Sequence, residues 1–398
     1  MNIIIIANFT DIHGSRFREI ARLFANKKHN VVLITSDFSH GKKEHLDKFF
    51  FESSYTIEYI HESGYPSNVS IKRLYSHWRW GHQVLKYLKN HEKPDIIYCA
   101  IPSLTVGTLS ADYCKKNHVK FVVDIQDLWP EAFCLLIKNK LFQLILRPLE
   151  WMANKSYKSA DLIVAVSKTY CCRGLSVNKK GAKGLTVFLG NHIDLFDKYK
   201  VEYKQKKYNN DFLIAYVGTI GYSYDIPCVI DGIALYRQQN SPMQNVRLVA
   251  IGGGPLIEKF SRYAKDKNVD VTFTEALPYQ KMVGLMCSCD VVINPIRKGA
   301  AQSITNKVGD YAFSGLAVIN TQECQEYRDL IDEYDCGINC DCGNVEDISN
   351  AIKFLIENPK VCKKMGLGAR KLGEEKFNRE STYNCIIEAV ENLFNNGK

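Results

Sequence analysis

A chain of 398 residues exceeds what one hydrophobic core usually serves, so two domains are expected. Its 46% hydrophobic and 24% charged residues are those of an ordinary globular protein and exclude a long disordered tail. The net charge of +9 is uneven: Lys and Arg outnumber Asp and Glu by 32 to 19 over residues 1–210 and trail them by 20 to 24 over 211–398. With no zinc finger, RNP aromatic motif or compact basic helix, nucleic acid is not indicated, and the basic half is either an ordinary basic surface or one that suits an anionic membrane face.

The N-terminal MNIIIIANFT has no basic segment before its apolar run and no small-residue cleavage site, so it reads as a first strand and a cytoplasmic protein is expected. No window approaches the roughly 20 apolar residues of a membrane span. Further strands are predicted at Asn30–Thr35, Ile57–Ile60, Asp95–Ala100, Lys120–Asp124, Leu162–Val166 and Thr186–Leu189, with helices of 3.6 period between them, such as Ser15–Asn26 and Ser103–Asn117. A lysine-rich stretch, DKYKVEYKQKKYNND, lacks either period and reads as a linker. Strands then resume at Leu213–Gly218, Val246–Ile251, Val271–Thr274, Val291–Asn294 and Ala317–Asn320. Alternation of strands and helices throughout is the pattern of parallel sheets wrapped by helices, an α/β fold. The expected organisation is two doubly wound, Rossmann-like domains facing across a cleft, residues 1–205 and 206–378, with a C-terminal helical segment, 379–398, packing back on the first. Fourteen cysteines without an export signal imply reduced thiols, and their groupings lack the paired C-x-x-C of structural zinc.

Several stretches carry polar groups where such sheets place ligands. The loop NFTDIHGS, with His13 and Gly14, follows the first strand and opens a helix. In FVVDIQDLWPEAF, Asp124, Asp127 and Glu131 leave the end of a strand beside Trp129, and either bind sugar hydroxyls and orient a nucleophile or cap the following helix. Gly218, Thr219 and Gly221 follow the first strand of the second domain, and Gly252-Gly253-Gly254 its second, although neither a P-loop nor a full G-x-G-x-x-G is present. The stretch SITNKVGDYAFSGLAVIN predicts a helix N-capped by Ser303 or Thr305, whose free N–H groups and positive dipole end suit a phosphate. Lys307 adds a full charge there, and Asp310 lies one turn along, placed to accept from a ribose.

Together these motifs resemble the retaining glycosyltransferases of family 4, which have the two-domain GT-B fold. The resemblance covers nearly the whole chain: GSRFREIARLFANKKHNVVLIT is similar to the glycine-loop helix and following strand. DIQDLWPE resembles the D-x-x-D-L-W-P-E segment of members that build bacterial capsule and O-antigen. SADLIVAVS, GNHIDLF, LVAIGGGP and ALPYQKMVGLMCSCDVVINP match further family segments. The family's paired glutamates fall on Gln302 and Asp310, and its diphosphate-binding Arg and Lys fall near Thr219 and Asp225, so those charges are missing; Lys307 matches a lysine of the W-P-E sub-group. The resemblance implies transfer from a nucleotide diphosphate sugar, a UDP-sugar, to a glycan or polyprenyl-diphosphate-linked acceptor, with retention and a same-face departure of the phosphate. It implies a donor site of Gly14, Gly218, Thr219, Gly221, Gly253, Gln302, Ser303, Ile304, Thr305, Asn306 and Asp310, an acceptor site of His13, Asp124 and Trp129, and chemistry at Asp127, Glu131 and Lys307. No D-x-D motif calls for a metal, and no cofactor beyond the nucleotide-sugar co-substrate is expected. A nucleotide-sugar epimerase and a non-catalytic two-lobe binding protein are the alternatives. Attachment to the inner membrane face is expected through RLYSHWRWGHQVLKYLK and KNKLFQLILRPLEW, with Arg73, Arg79, Lys86, Lys138, Lys140 and Arg147 at the head groups.

Overall fold

The computed structural model describes residues 1–9, 15–46, 53–67, 70–132, 140–206, 210–239, 244–300 and 304–395, the side chains of 140–143 excepted. Contacts divide the chain into two units, Met1–Phe188 with Thr382–Lys398, and Leu189–Ser381.

The first unit is built on β1 (Asn2–Ile6), β2 (Asn30–Ser36), a two-stranded hairpin of β3 (Phe38–Ser39) and β4 (Glu44–His45), then β5 (Thr56–Ile60), β6 (Ile96–Ile101), β7 (Lys120–Ile125), β8 (Leu162–Ala165) and β9 (Lys183–Thr186). Its parallel sheet runs β5-β2-β1-β6-β7-β8-β9. Helices cover both faces of such a sheet, so strands such as Ile3–Ile6 and Phe121–Ile125 are contiguous buried runs and do not alternate. In the helix Arg16–Asn26, Phe17, Ile20, Ala21 and Phe24 recur at helical spacing and face the sheet. The C-terminal helix Asn384–Asn395 completes the same core with Ile386, Ile387 and Val390, preceded by Tyr383. Its Glu391 accepts from Lys27 and pairs with His29, each at 2.9 Å.

The second unit has β10 (Phe212–Val217), β11 (Val246–Ile251), β12 (Val271–Phe273), β13 (Val291–Asn294), β14 (Ala317–Asn320) and β15 (Gly337–Asn339), in the parallel order β12-β11-β10-β13-β14-β15. The chain moves outward from β10 through β11 to β12, then returns to lay β13 on the other side of β10. The crevice at the C-terminal ends of β10 and β13 is therefore the switch point, where open α/β sheets receive ligands.

Three local expectations are corrected. The stretch read as a linker contains the end of a helix, Ile193–Glu202. Arg370 grips its Asp197 at 2.6 and 2.7 Å, and Lys200 donates to the carbonyl of Ser314, the last residue of another helix, at 2.8 Å. Only Ile193 and Phe196 of that helix are buried, too few to print a period through the lysines. The strand expected at Thr186–Leu189 lies at Lys183–Thr186, and β15 was not foreseen.

Candidate active site

In the second unit the site forms around the loops that follow β10 and β11. The two are zipped together: Gly218 N–H donates to Ile251 O at 3.0 Å, Ile220 N–H to Gly253 O at 2.9 Å, and Leu256 N–H to Ile220 O at 3.2 Å. Gly252 must be glycine, for its φ is 146° and a Cβ would stand 2.1 Å from Gly218 O. Thr219 O accepts from Tyr216 Oη at 2.8 Å, and Gly221 O from Tyr224 N–H at 3.2 Å.

The helix after β13 spans Lys307–Ser314 and stops at Gly315, whose φ of 70° is the left-handed C-terminal cap. Its N-cap is Asn306, which makes no side-chain capping bond, and not Ser303 or Thr305 as expected. Thr305 instead supplies its carbonyl to Val308 N–H at 3.1 Å, while its buried Oγ1 has no partner among the described residues. Tyr311 fixes the helix beneath the switch point, with Oη accepting from Val217 N–H at 2.9 Å and donating to Ile293 O at 3.1 Å.

That placement turns Lys307 inward. Its Nζ lies 4.4 Å from the centroid of the Tyr216 ring and 3.8 Å from that of Tyr224, and a Cβ at Gly218 would be 3.4 Å away. The amine is buried and has no hydrogen-bond partner among the described residues. Burial holds its pKa well below the ordinary lysine range. Ile304 is buried and Asn306 exposed at the same helix entry.

Asp310 is engaged within its own unit. Its Oδ1 accepts from Tyr279 Oη at 2.7 Å and from Asn191 Nδ2 at 3.0 Å, and burial raises its pKa against the opposing effect of those bonds. The oxygen assigned to a ribose thus anchors Asn191, of the GNHIDLF segment, to the helix. Asp225, one of the positions lacking a basic residue, sits 3.6 Å from Arg297 Nη2. Gln302, Ser303, Gly14 and His13 lie outside the described residues, as does Lys138.

In the first unit the carboxylates at and beyond the end of β7 have three different fates. Asp124 is wholly enclosed; it receives Arg16 Nε at 2.9 Å, Tyr98 Oη at 2.6 Å and Gln126 Nε2 at 2.5 Å. Arg16 also donates to Val187 O at 2.9 Å, so Asp124 ties the sheet to the first helix, and its assignment to an acceptor is corrected on that ground. Glu131 pairs with Arg173 at 2.5 Å, and its other oxygen is buried with no partner among the described residues. Asp127 accepts from Leu128 N–H at 2.9 Å, Trp129 Nε1 at 3.2 Å and Tyr170 Oη at 3.5 Å, and burial raises its pKa against the opposing effect of those bonds.

Trp129 leads to a cluster that the sequence reading missed. Its ring is nearly parallel to that of His77, with centroids 5.9 Å apart, and the Arg73 guanidinium lies 4.4 Å from its centroid. The same guanidinium is 5.5 Å from the Tyr65 ring and 5.8 Å from that of Phe9. His40 Nδ1 meets Tyr65 Oη at 2.7 Å. Glu62 is fully buried and accepts from Asn8 Nδ2 and Ser76 Oγ, each at 2.9 Å. Burial, then the charge of Arg73, push His77 down to about 3 and His40 to about 4, so both imidazoles are neutral near pH 7. Arg73, expected at lipid head groups, is instead a buried cation under Trp129. The cluster draws on residues following β1, β2, β5 and β7, so no single stretch displays it.

Two family models match, Glycosyltransferase Family 4 over residues 14–171 and Glycosyl transferases group 1 over residues 197–372. The chain carries the two domains of a GT-B glycosyltransferase. An uncharacterized glycosyltransferase of Methanocaldococcus jannaschii is 24% identical over 244 residues, which span 60% of this GT-B chain and 60% of that relative. Among solved structures, Anabaena HepE in complex with UDP aligns with a TM-score of 0.69 at 14% identity, covering 98% of this chain and 100% of its own; HepE is also known with UDP-glucose. Sucrose-phosphate synthase from Thermosynechococcus elongatus aligns at 0.72 with 14% identity, covering 98% of each chain. These likenesses establish the GT-B fold of the two units described above.

Proposed function

We propose that this chain transfers a sugar from a UDP-sugar, an N-acetylated or deoxy hexose, to a glycan or polyprenyl-diphosphate-linked acceptor in the assembly of bacterial surface polysaccharide, with retention of configuration. The observation that carries the reading is Lys307: a buried amine without a hydrogen-bond partner among the described residues, beside Gly218 at the switch point of the second sheet, needs an anion to complete it. A donor diphosphate supplies one, and Lys307 stabilises the charge that gathers on the leaving phosphate. The HepE complexes support UDP as the nucleotide. The W-P-E segment supports the polysaccharide role.

Asp127 is the residue assigned to the acceptor, positioning its hydroxyl or taking its proton, because its partners Leu128, Trp129 and Tyr170 are neutral donors, whereas Asp124 and Glu131 are each neutralised by a direct arginine contact. Neither role calls on a metal.

Membrane attachment is part of the proposal. In the helix Ile71–Asn90, Ile71, Leu74, Tyr75 and Trp78 recur at helical spacing and are exposed, Ile71 at 85%, with Arg79 and Lys86 exposed nearby. Ile145 and Trp151 of Lys140–Ser159 are also exposed, next to Arg147. An apolar helical face turned outward and flanked by basic residues suits the inner membrane surface that holds a polyprenyl acceptor.

The test is incubation of the purified protein with a panel of UDP-sugars, with and without a lipid-linked acceptor, with product followed by mass spectrometry and its anomeric configuration by NMR. A retained glycoside that requires the acceptor supports the reading. Isomerised donor without acceptor makes the protein an epimerase, and binding without turnover a two-lobe receptor.

A further inference from the structure

Away from the carboxylates and glycines of the candidate site, three side chains of the first unit converge on one point. Asp37 follows β2 and His61 follows β5, and these strands pair in parallel with Ser36 opposite Ile60, so the two residues leave the sheet side by side. His45 comes from β4, whose register sets it opposite Phe38, the residue after Asp37. His61 Nδ1 lies 2.8 Å from Asp37 Oδ2, and His45 Nδ1 lies 3.4 Å from Asp37 Oδ1. The two imidazoles are stacked, with centroids 5.1 Å apart and planes 21° apart. One ligand atom from each residue falls within 4.8 Å of the others.

We propose that Asp37, His45 and His61 bind a divalent transition-metal ion, Zn²⁺ in particular, which clamps the hairpin of β3 and β4 to the end of the first sheet. Two imidazoles and one carboxylate are ligands for zinc and its neighbours, not for Ca²⁺ or Mg²⁺, which take all-oxygen shells. Ligands about 2.0–2.2 Å from a tetrahedral zinc sit roughly 3.3–3.6 Å from one another, so small rotations of partly exposed imidazoles close the set, and water fills the fourth position. The supports that orient metal ligands are in place. Asp37 Oδ1 accepts from Glu62 N–H at 2.9 Å, and His45 packs edge-on against Phe38 with centroids 5.4 Å apart. The clamp also fixes the hairpin that carries His40 against Tyr65 and Phe9, at one wall of the aromatic cluster.

The test uses the full chain, stripped of metal with a chelator and with accessible thiols alkylated so that cysteines cannot compete. Zn²⁺ is titrated against a chromophoric chelator, and Co²⁺ is added separately to read the visible spectrum of its ligand field. One equivalent of tightly held Zn²⁺, a rise in the thermal midpoint and a low-symmetry Co²⁺ spectrum are expected. His45→Ala and His61→Ala should each weaken binding about tenfold or more and abolish that spectrum, while His91→Ala, at an exposed histidine elsewhere, changes neither. Circular dichroism confirms that the variants remain folded. Absence of stoichiometric binding, or binding undiminished in both histidine variants, overturns the proposal.

Discussion

An amine enclosed between two aromatic faces, with no hydrogen-bond partner among the described residues, is an incomplete electrostatic arrangement, and Lys307 has consequences for both stability and binding. Its folded pKa is lowered by burial, so between the folded and unfolded values the folded state holds fewer protons, and stability from this residue rises with pH through that window. Lys307→Met should flatten that rise and leave the thermal midpoint no lower. Sugar transfer should fall about 100-fold or more, roughly 2.7 kcal/mol of transition-state stabilisation, and steady-state kinetics that match wild type would dismiss Lys307 from the reaction. A bound diphosphate restores the lysine's proton, so calorimetry in two buffers of different ionisation enthalpy should show net proton uptake on UDP binding at mildly alkaline pH, absent in the variant. Asp127 makes the complementary case. Burial raises its pKa, so if it must ionise to accept the acceptor's proton, the acid limb of kcat/KM should begin above the usual carboxylate value of about 4. Asp127→Asn should remove transfer and leave UDP affinity within about twofold; parallel loss of both would show a damaged fold. Both residues stood out in the sequence because each is a charge at a strand end or a helix start. Their surroundings did not: Tyr216 and Tyr224, or Arg73 and His77, carry no local pattern that tells a ring packed in a core from a ring facing a ligand. Asp37, His45 and His61 were passed over for a related reason. A search for metal ligands by spacing follows cysteines along one segment, whereas these three are brought together by strand register.

The three carboxylates of DIQDLWPE show what an element can reveal that a motif cannot. They share a strand end, yet one is a buried tie, one an ion pair and one a candidate base, according to which helix reaches over them. Asp124 and Arg16 form a buried pair, and removing one partner strands the other's charge in the interior. Asp124→Ala should therefore cost about 3–5 kcal/mol in urea denaturation, a loss of fold with no specific effect on the donor. Strands with both faces buried, such as IIII of β1 and FVVDI of β7, were legible because such burial needs contiguous apolar residues. The short edge strands GIN and KGLT were not, since an edge is covered on fewer sides and tolerates glycine, asparagine and lysine. Ile193–Glu202 escaped for the opposite reason. Its place is fixed largely by the Arg370–Asp197 ion pair and by Lys200 donating to a carbonyl of another helix, and polar contacts of that kind leave no periodic trace.

At the scale of the whole chain, the uneven charge seen in the sequence takes on a location, because the basic excess belongs largely to the unit whose helix Ile71–Asn90 exposes Ile71, Tyr75 and Trp78. Co-sedimentation with liposomes should require anionic lipid and weaken as salt rises, and Trp78→Glu with Ile71→Glu should leave the protein in the supernatant with its UDP affinity intact. Binding to neutral vesicles at high salt would count against this electrostatic contribution. The two-domain organisation was legible from the restart of the strand pattern near Phe212, but which unit owns the last helix was a matter of packing. That ownership matters when the chain is made. The first unit takes Tyr383, Ile386, Ile387 and Val390 into the core that holds Ile3 and Phe24, so on a ribosome those two wait until the helix Asn384–Asn395 has been made. Domains usually fold in order of synthesis. Here the intervening unit, Leu189–Ser381, can bury its own core first, while the first unit stays unfinished until translation reaches its closing helix.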